Sequence, residues 1–304
     1  MNAAPLTDST HDLHAGLQLL LILFVLLAAA TVAVVPANGL GARGALRAQV
    51  TSWWRLMPVV FLAWATQPFG GEMLVAIVAL LVLRELQPHL RDTLGARLAL
   101  AAVIVVELAA MALGHAAWGA GLLVAALCID GILMAARPGA RRDLLVIGIA
   151  AVQGVGLLCL VIAPGPEAAL PLHADWFLYL CVVTAINDIG QYIAGTSIGR
   201  HRLASRISPN KTWQGAIGGA LVSVPVSVGV GRLLGLSNDT AALAALGLLL
   251  SVAGVCGDLL FSAGKRALGI KDYGTLIPGH GGILDRVDSL VLTAPALLVA
   301  LAWR

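Results

Sequence analysis

The chain has 304 residues, of which 59% are apolar and only 12% charged, and its formal net charge is +3. Soluble domains carry about 25% charged residues, and a soluble fold of this length still leaves roughly a quarter of its unfolded surface in water. The composition excludes an ordinary soluble domain and reads as a polytopic membrane protein. Four cysteines (Cys128, Cys159, Cys181 and Cys256) lie inside apolar runs without paired spacing, which argues for core packing over a disulfide framework or zinc site.

A helix needs about 20 mostly apolar residues to cross the hydrocarbon. In chain order such runs fall near 17–35, 56–69, 70–84, 97–114, 116–136, 143–163, 174–199, 215–235, 240–264 and 287–303. They predict an all-α fold, a polytopic membrane bundle of about ten transmembrane helices. The second and third runs are short enough to be one span or two helices meeting at Pro68-Phe69-Gly70-Gly71. Cytoplasmic loops collect Lys and Arg. Ten crossings with the N-terminus outside put 17 of the 19 basic residues in inner loops, leaving Arg232 and Arg304 outside. Merging the two short runs breaks that alternation after residue 84, so two helices are expected. The small positive charge is thus topological and implies no nucleic-acid partner. The first segment carries Asp8 and Asp12 but no basic residue. It lacks the basic region of a signal peptide, so the first helix is expected to stay as an anchor.

The chain divides into N-terminal transmembrane helices (1–140) and a C-terminal region (141–304) holding the long polar stretches 200–214 and 265–288, both expected in the cytoplasm. Ionisable groups inside a membrane cost about 2.5–3.5 kcal/mol each on insertion scales and are functional candidates. Glu107 and Asp130 have no polar company in sequence and read as interhelical hydrogen-bond formers. Asp188 and Asp258 instead lead into the two polar stretches. Asp258 is expected about six residues, or ~9 Å, from the end of its helix, with Asp285 entering the next helix at a similar level. Two such carboxylates suit a hard cation.

In 257–288 the cations Lys265, Arg266, Lys271 and Arg286 alternate with Asp258, Asp272, Asp285 and Asp288, and Gly279, Gly281 and Gly282 surround His280. Glycines admit close backbone approach, and exposed N–H groups suit phosphate oxygens. Carboxylates for Mg²⁺ beside phosphate-clamping cations point to phosphoryl or nucleotidyl transfer. Upstream, Ser208-Pro209-Asn210-Lys211-Thr212 precedes a Gly-rich helix, combining hydroxyls, a cation and a helix N-terminus into an anion site. The Gly-x4-Gly-Lys spacing of a Walker A loop is missing.

At these residues the sequence resembles the CDP-diacylglycerol synthase (phosphatidate cytidylyltransferase) family. Its signature, Ser-x-apolar-Lys-Arg-x4-Lys-Asp followed by His-Gly-Gly-x-x-Asp-Arg-x-Asp, is met by Ser262, Lys265, Arg266, Lys271, Asp272, His280, Gly281, Gly282, Asp285, Arg286 and Asp288. Asp188 and the run Ser208 to Gly215 match the family's upstream block. The resemblance implies CTP and phosphatidate as substrates, CDP-diacylglycerol and pyrophosphate as products, and Mg²⁺ as cofactor. It leaves open a second, monovalent cation and a homodimer. It implies Asp258 and Asp285 as metal ligands and catalytic residues, with Lys265 and Arg266. Ser208, Lys211, Thr212, Lys271, Asp272, His280, Gly281, Gly282, Arg286, Asp288 and Asp188 are expected to bind substrate. The implied location is a bacterial inner membrane, with the site facing the cytoplasm and phosphatidate drawn from the inner leaflet. The chain departs from the family at Phe261, where Glu is common, and at Gly264 and Gln191. Phe261 either leaves the site short of a carboxylate or faces lipid or a neighbouring helix. Competing readings are a CTP-dependent transferase acting on another lipid phosphate, a transporter, and a non-catalytic homologue.

Overall fold

The computed structural model describes residues 7–34, 42–66, 69–86, 88, 174–276 and 281–302. The runs expected near 97–114, 116–136 and 143–163, with Glu107, Asp130, Cys128 and Cys159, lie outside the described residues, as does His280. The described helices are α1 (Thr7–Val34), α2 (Ala42–Ala65), α3 (Phe69–Leu86), α4 (Ala174–Ile198), α5 (Trp213–Leu233), α6 (Thr240–Ala267) and α7 (Leu284–Ala302). Within α4, α5 and α6, three segments (Asp175–Ile198, Trp213–Leu233 and Thr240–Ala267) are each long and apolar enough to cross a membrane. Helices α2 and α3 are separate, not one long span, and α2 already begins at Ala42. Arg43, Arg47 and Arg55, expected in a loop, are therefore helical, because a helix does not stop where its side chains turn polar.

Helices α4 to α7 pack as antiparallel neighbours in chain order. Between α4 and α5 the seam is made of small residues. A β-carbon built on Gly190 would meet the Gly219 Cα at 3.2 Å, one on Gly215 the Gly195 Cα at 3.3 Å, and one on Gly218 the Ala194 Cβ at 2.3 Å. In hydrocarbon, where apolar burial gives little drive, such close backbone approach supplies the van der Waals contact that joins helices. Gly247 lies against Ser227 across α5 and α6, and Gly257 against the Asp288 carbonyl across α6 and α7. A buried amide ties three helices: Asn187 Oδ1 accepts from Ser223 Oγ (3.2 Å) and Ser251 Oγ (2.7 Å). In a medium without water the two serine hydroxyls need such an acceptor; Asn187 Nδ2 itself has no partner among the described residues.

The polar stretch expected as a loop over 200–214 departs from an all-α fold. It forms a two-stranded antiparallel hairpin, β1 (Arg202–Ala204) and β2 (Ser208–Thr212), with Arg202 opposite Thr212 and Ala204 opposite Ser208. Gln214 fastens its open end, its Oε1 accepting from the Arg200 and His201 amides at 3.0 and 3.1 Å. Thr212 then caps α5, its Oγ1 accepting from the Gly215 amide at 3.1 Å. Helix α6 ends in a Schellman turn, in which the Ile270 amide donates to the Lys265 carbonyl (2.9 Å) and Gly269 takes φ +68°. The left-handed residue there is a glycine because it has no Cβ penalty.

Candidate active site

The carboxylates and cations singled out in the sequence gather at the end of the bundle where α4 and α6 finish and α5 and α7 begin. Lys211 on β2 forms an ion pair with Asp258 on α6. Lys265 on α6 pairs with Asp285 Oδ1 on α7 at 2.9 Å. The two pairs differ in access, since the Asp258 side chain is 31% exposed and that of Asp285 only 4%. Asp285 Oδ2 also accepts from the backbone amides of Tyr273 (3.0 Å) and Gly282 (2.9 Å). Gly281 takes φ +81°, and a β-carbon on it would come within 2.8 Å of that same oxygen. The left-handed φ favours glycine as the first of the signature pair, and its bare Cα leaves room for the Asp285 carboxylate.

Deeper in the bundle, Asp188 Oδ2 accepts from Ser289 Oγ (3.1 Å) and Oδ1 from Gln191 Nε2 (3.3 Å). Asp188 feels the charges of Asp258, Lys211 and Arg286, and Asp288 feels those of Asp258, Asp188 and Lys265. Asp258 lies level with Asp288, since a β-carbon on the adjacent Gly257 would meet the Asp288 carbonyl at 2.6 Å. Asp285 stands three residues of α7 nearer the helix end, a displacement of about 4.5 Å from the similar level expected for it and Asp258. The reason is the length of α6, which continues to Ala267 and places Asp258 nine residues from its end.

The other expected site residues are placed less uniformly. Ser208 sits on β2 and is half-buried. Thr212 is engaged in capping α5, and Arg266 donates through Nε to the Ile207 carbonyl at 3.2 Å, fixing the hairpin turn to α6. Lys271, Asp272 and Arg286 are exposed, and Gly282 is buried. Phe261 is wholly buried, with its ring edge-on to Tyr273 at 6.2 Å and its carbonyl accepting from the Tyr273 hydroxyl at 3.0 Å. It faces the loop after α6, not lipid. Burial, reinforced by the negative charges of Asp285 and Asp288, pushes the Tyr273 phenol above its usual range, so it stays protonated and donates.

Residues not singled out in the sequence complete the frame. Tyr273 packs under Lys265, whose Nζ lies 5.8 Å from the ring centre. Glu85 at the end of α3 accepts from the amides of Ile283 (2.8 Å) and Leu284 (3.0 Å). Its only sequence signal is a carboxylate beside Arg84 at the edge of an apolar run.

Among the described residues no three His, Cys, Asp or Glu side chains stand close enough to enclose a metal ion. Mg²⁺ does not require such a cage. It is commonly held by one or two carboxylates together with waters and substrate phosphates. The accessible Asp258 fits that donor chemistry, whereas Asp285 is 4% exposed and would join it only by giving up its bond to Lys265 or to a loop amide.

The fold and this centre define a helical membrane protein whose polar end interleaves lysines with carboxylates. Its relatives agree. Over 118 residues the chain is 48% identical to the uncharacterized protein YnbB of Escherichia coli K12, covering 39% of each chain. It is 42% identical over 144 residues to the phosphatidate cytidylyltransferase of Brucella suis (47% of this chain, 52% of that one). A phosphatidate cytidylyltransferase of Staphylococcus aureus strain COL is 40% identical over 126 residues, covering 41% of this chain and 48% of its own. The chain thus spans about half or less of the length of these curated relatives. The cytidylyltransferase family profile matches residues 47–303, and the chain belongs to that family.

Proposed function

We propose that the protein is a membrane phosphatidate cytidylyltransferase of phospholipid biosynthesis. CTP and phosphatidate are its substrates; CDP-diacylglycerol and pyrophosphate are its products. The observation that carries this reading is the pairing of family cations with family carboxylates, Lys211 with Asp258 and Lys265 with Asp285, at one end of the apolar helices. A phosphate oxygen of phosphatidate attacks the α-phosphorus of CTP, and the bond from that phosphorus to the bridging oxygen of pyrophosphate breaks. The attacking phosphate is already anionic, so the protein supplies positioning and charge neutralisation instead of a general base. Asp258 and Asp285 would hold Mg²⁺, which neutralises charge on the triphosphate. Lys211, Lys265, Arg266 and Arg286 would then face phosphates of the two substrates.

The alternation of basic residues along the chain supports ten crossings with this polar end in the cytoplasm; in a bacterial inner membrane phosphatidate would then enter from the inner leaflet. The test is direct. Purified protein with Mg²⁺, CTP and a panel of lipid phosphates should release pyrophosphate and CDP-lipid in equal amounts, fastest with phosphatidate. Faster turnover of a polyprenyl phosphate would reassign the acceptor, and no CTP consumption with any lipid would refute the reading.

A further inference from the structure

We propose that Glu85 is a positioning residue for Asp285, an inference that rests on the reading of Asp285 as part of the cytidylyl-transfer site. The first N–H groups of any helix lack intrahelical partners and are commonly satisfied by a polar side chain at the cap. In α7 the cap is Ile283, whose carbonyl accepts from the Arg286 and Val287 amides at 2.9 and 3.2 Å. Isoleucine has no side-chain acceptor. The acceptor comes from α3 instead, with Glu85 Oε1 taking the Ile283 amide and Oε2 the Leu284 amide. A carboxylate is also the charge that a helix N-terminus favours.

The loop backbone is seated against this carboxylate. A β-carbon on Gly274 would lie 2.5 Å from Glu85 Oε1, and one on Gly282 would lie 2.3 Å from Oε2. The second glycine of the signature pair thus leaves room for the Glu85 carboxylate, as the first does for that of Asp285. Gly282 joins the two carboxylates, since its missing side chain admits Glu85 while its amide donates to Asp285 Oδ2. Without Glu85 the amides of Ile283 and Leu284 lose their acceptors, and the first turn of α7, which carries Asp285, loses its fixed start. A helix in the N-terminal half of the chain thereby sets the geometry of a signature residue roughly 200 positions later.

Hydrogen exchange and steady-state kinetics on the full-length protein, in detergent with CTP, Mg²⁺ and phosphatidate, test the proposal. Glu85→Ala should speed amide exchange in 282–284 and leave α5 and α6 protected. It should lower kcat by about 10²-fold, the scale of an ångström-sized misplacement, with the phosphatidate KM unchanged. Glu85→Gln, which keeps one acceptor oxygen, should fall between. Gly282→Ala, which displaces the carboxylate from the other side, should reproduce the exchange pattern, and Arg84→Gln should match wild type. Wild-type kcat in Glu85→Ala, unchanged exchange at 282–284, or exchange raised evenly over α4 to α7 would each overturn the positioning role. A wild-type enzyme that makes no CDP-lipid refutes the proposed function instead, so the two failures are told apart.

Discussion

Replacing Phe261 with the glutamate common in the family tests whether this site lacks a carboxylate or has given the position to packing. The ring is fully buried and edge-on to Tyr273, and the Tyr273 amide in turn holds Asp285. Removing the buried ring costs about 1.5–3 kcal/mol, and losing the edge-to-face pair adds about 0.5–1.5 kcal/mol. The cation that sits over the Tyr273 ring, Lys265, is already paired with Asp285. The glutamate would therefore stay poorly compensated, at several kcal/mol more. Phe261→Glu should lower thermal stability in detergent by at least ~2 kcal/mol equivalent and leave the Mg²⁺ concentration for half-maximal activity unchanged or higher. Phe261→Leu, which keeps most of the volume, should cost less than about 1.5 kcal/mol and retain the Mg²⁺ requirement. A Phe261→Glu protein as stable as wild type, with a lower Mg²⁺ requirement, would refute the packing argument and show a site short of one carboxylate.

Asp258→Asn should abolish turnover at saturating Mg²⁺ while the protein still folds, because the amide carries no charge for the proposed Mg²⁺ or for Lys211; turnover within a few-fold of wild type removes Asp258 from the site. Gly219→Leu should destabilise the bundle by about 1–3 kcal/mol, since even a β-carbon there would lie 2.6 Å from Gln191 Cγ and 2.7 Å from Asn187 Oδ1; an unchanged melting temperature contradicts the close α4–α5 seam. Cysteines introduced at Ala169 and Ser205 should label from opposite faces of the membrane, and labelling of both from one side of intact spheroplasts counts against the ten-crossing topology.

Much of the charged end is legible because charge beside or within apolar runs is conspicuous. Asp258 stands out as a charge in an apolar run, Lys265 and Asp285 by the alternation of cations and carboxylates over 257–288, and Lys211 as a cation ahead of a Gly-rich helix; the structure joins them in two pairs. What sequence reasoning missed has physical causes. Hydropathy falls to polar values at Lys265, yet α6 runs on to Ala267, since its end is set by the left-handed Gly269 and not by loss of apolarity. The hairpin over 202–212 shows no alternation of apolar residues, because it is held by backbone pairing and by Gln214, with no buried face of its own. Glu85 looks like one more charge where a span ends, and its partners are backbone amides, which leave no trace in composition. For Phe261 the helical spacing allowed either face, and only the packing of Tyr273 decides between them.

The amide of Asn187 has a consequence for the height of the charged groups. Its single oxygen accepts hydroxyls from α5 and α6 together, so the three helices share one datum along the membrane normal. A slide of any one of them by a turn, about 5.4 Å, would carry its hydroxyl or its amide out of reach and strand polar atoms in a dry interior. Asp188 is the next residue along α4, and Asp258 lies two turns beyond Ser251 on α6. The elevation of both carboxylates is therefore gauged from a neutral group below them. The charges around the two acids can change while the scale against which they are levelled stays put.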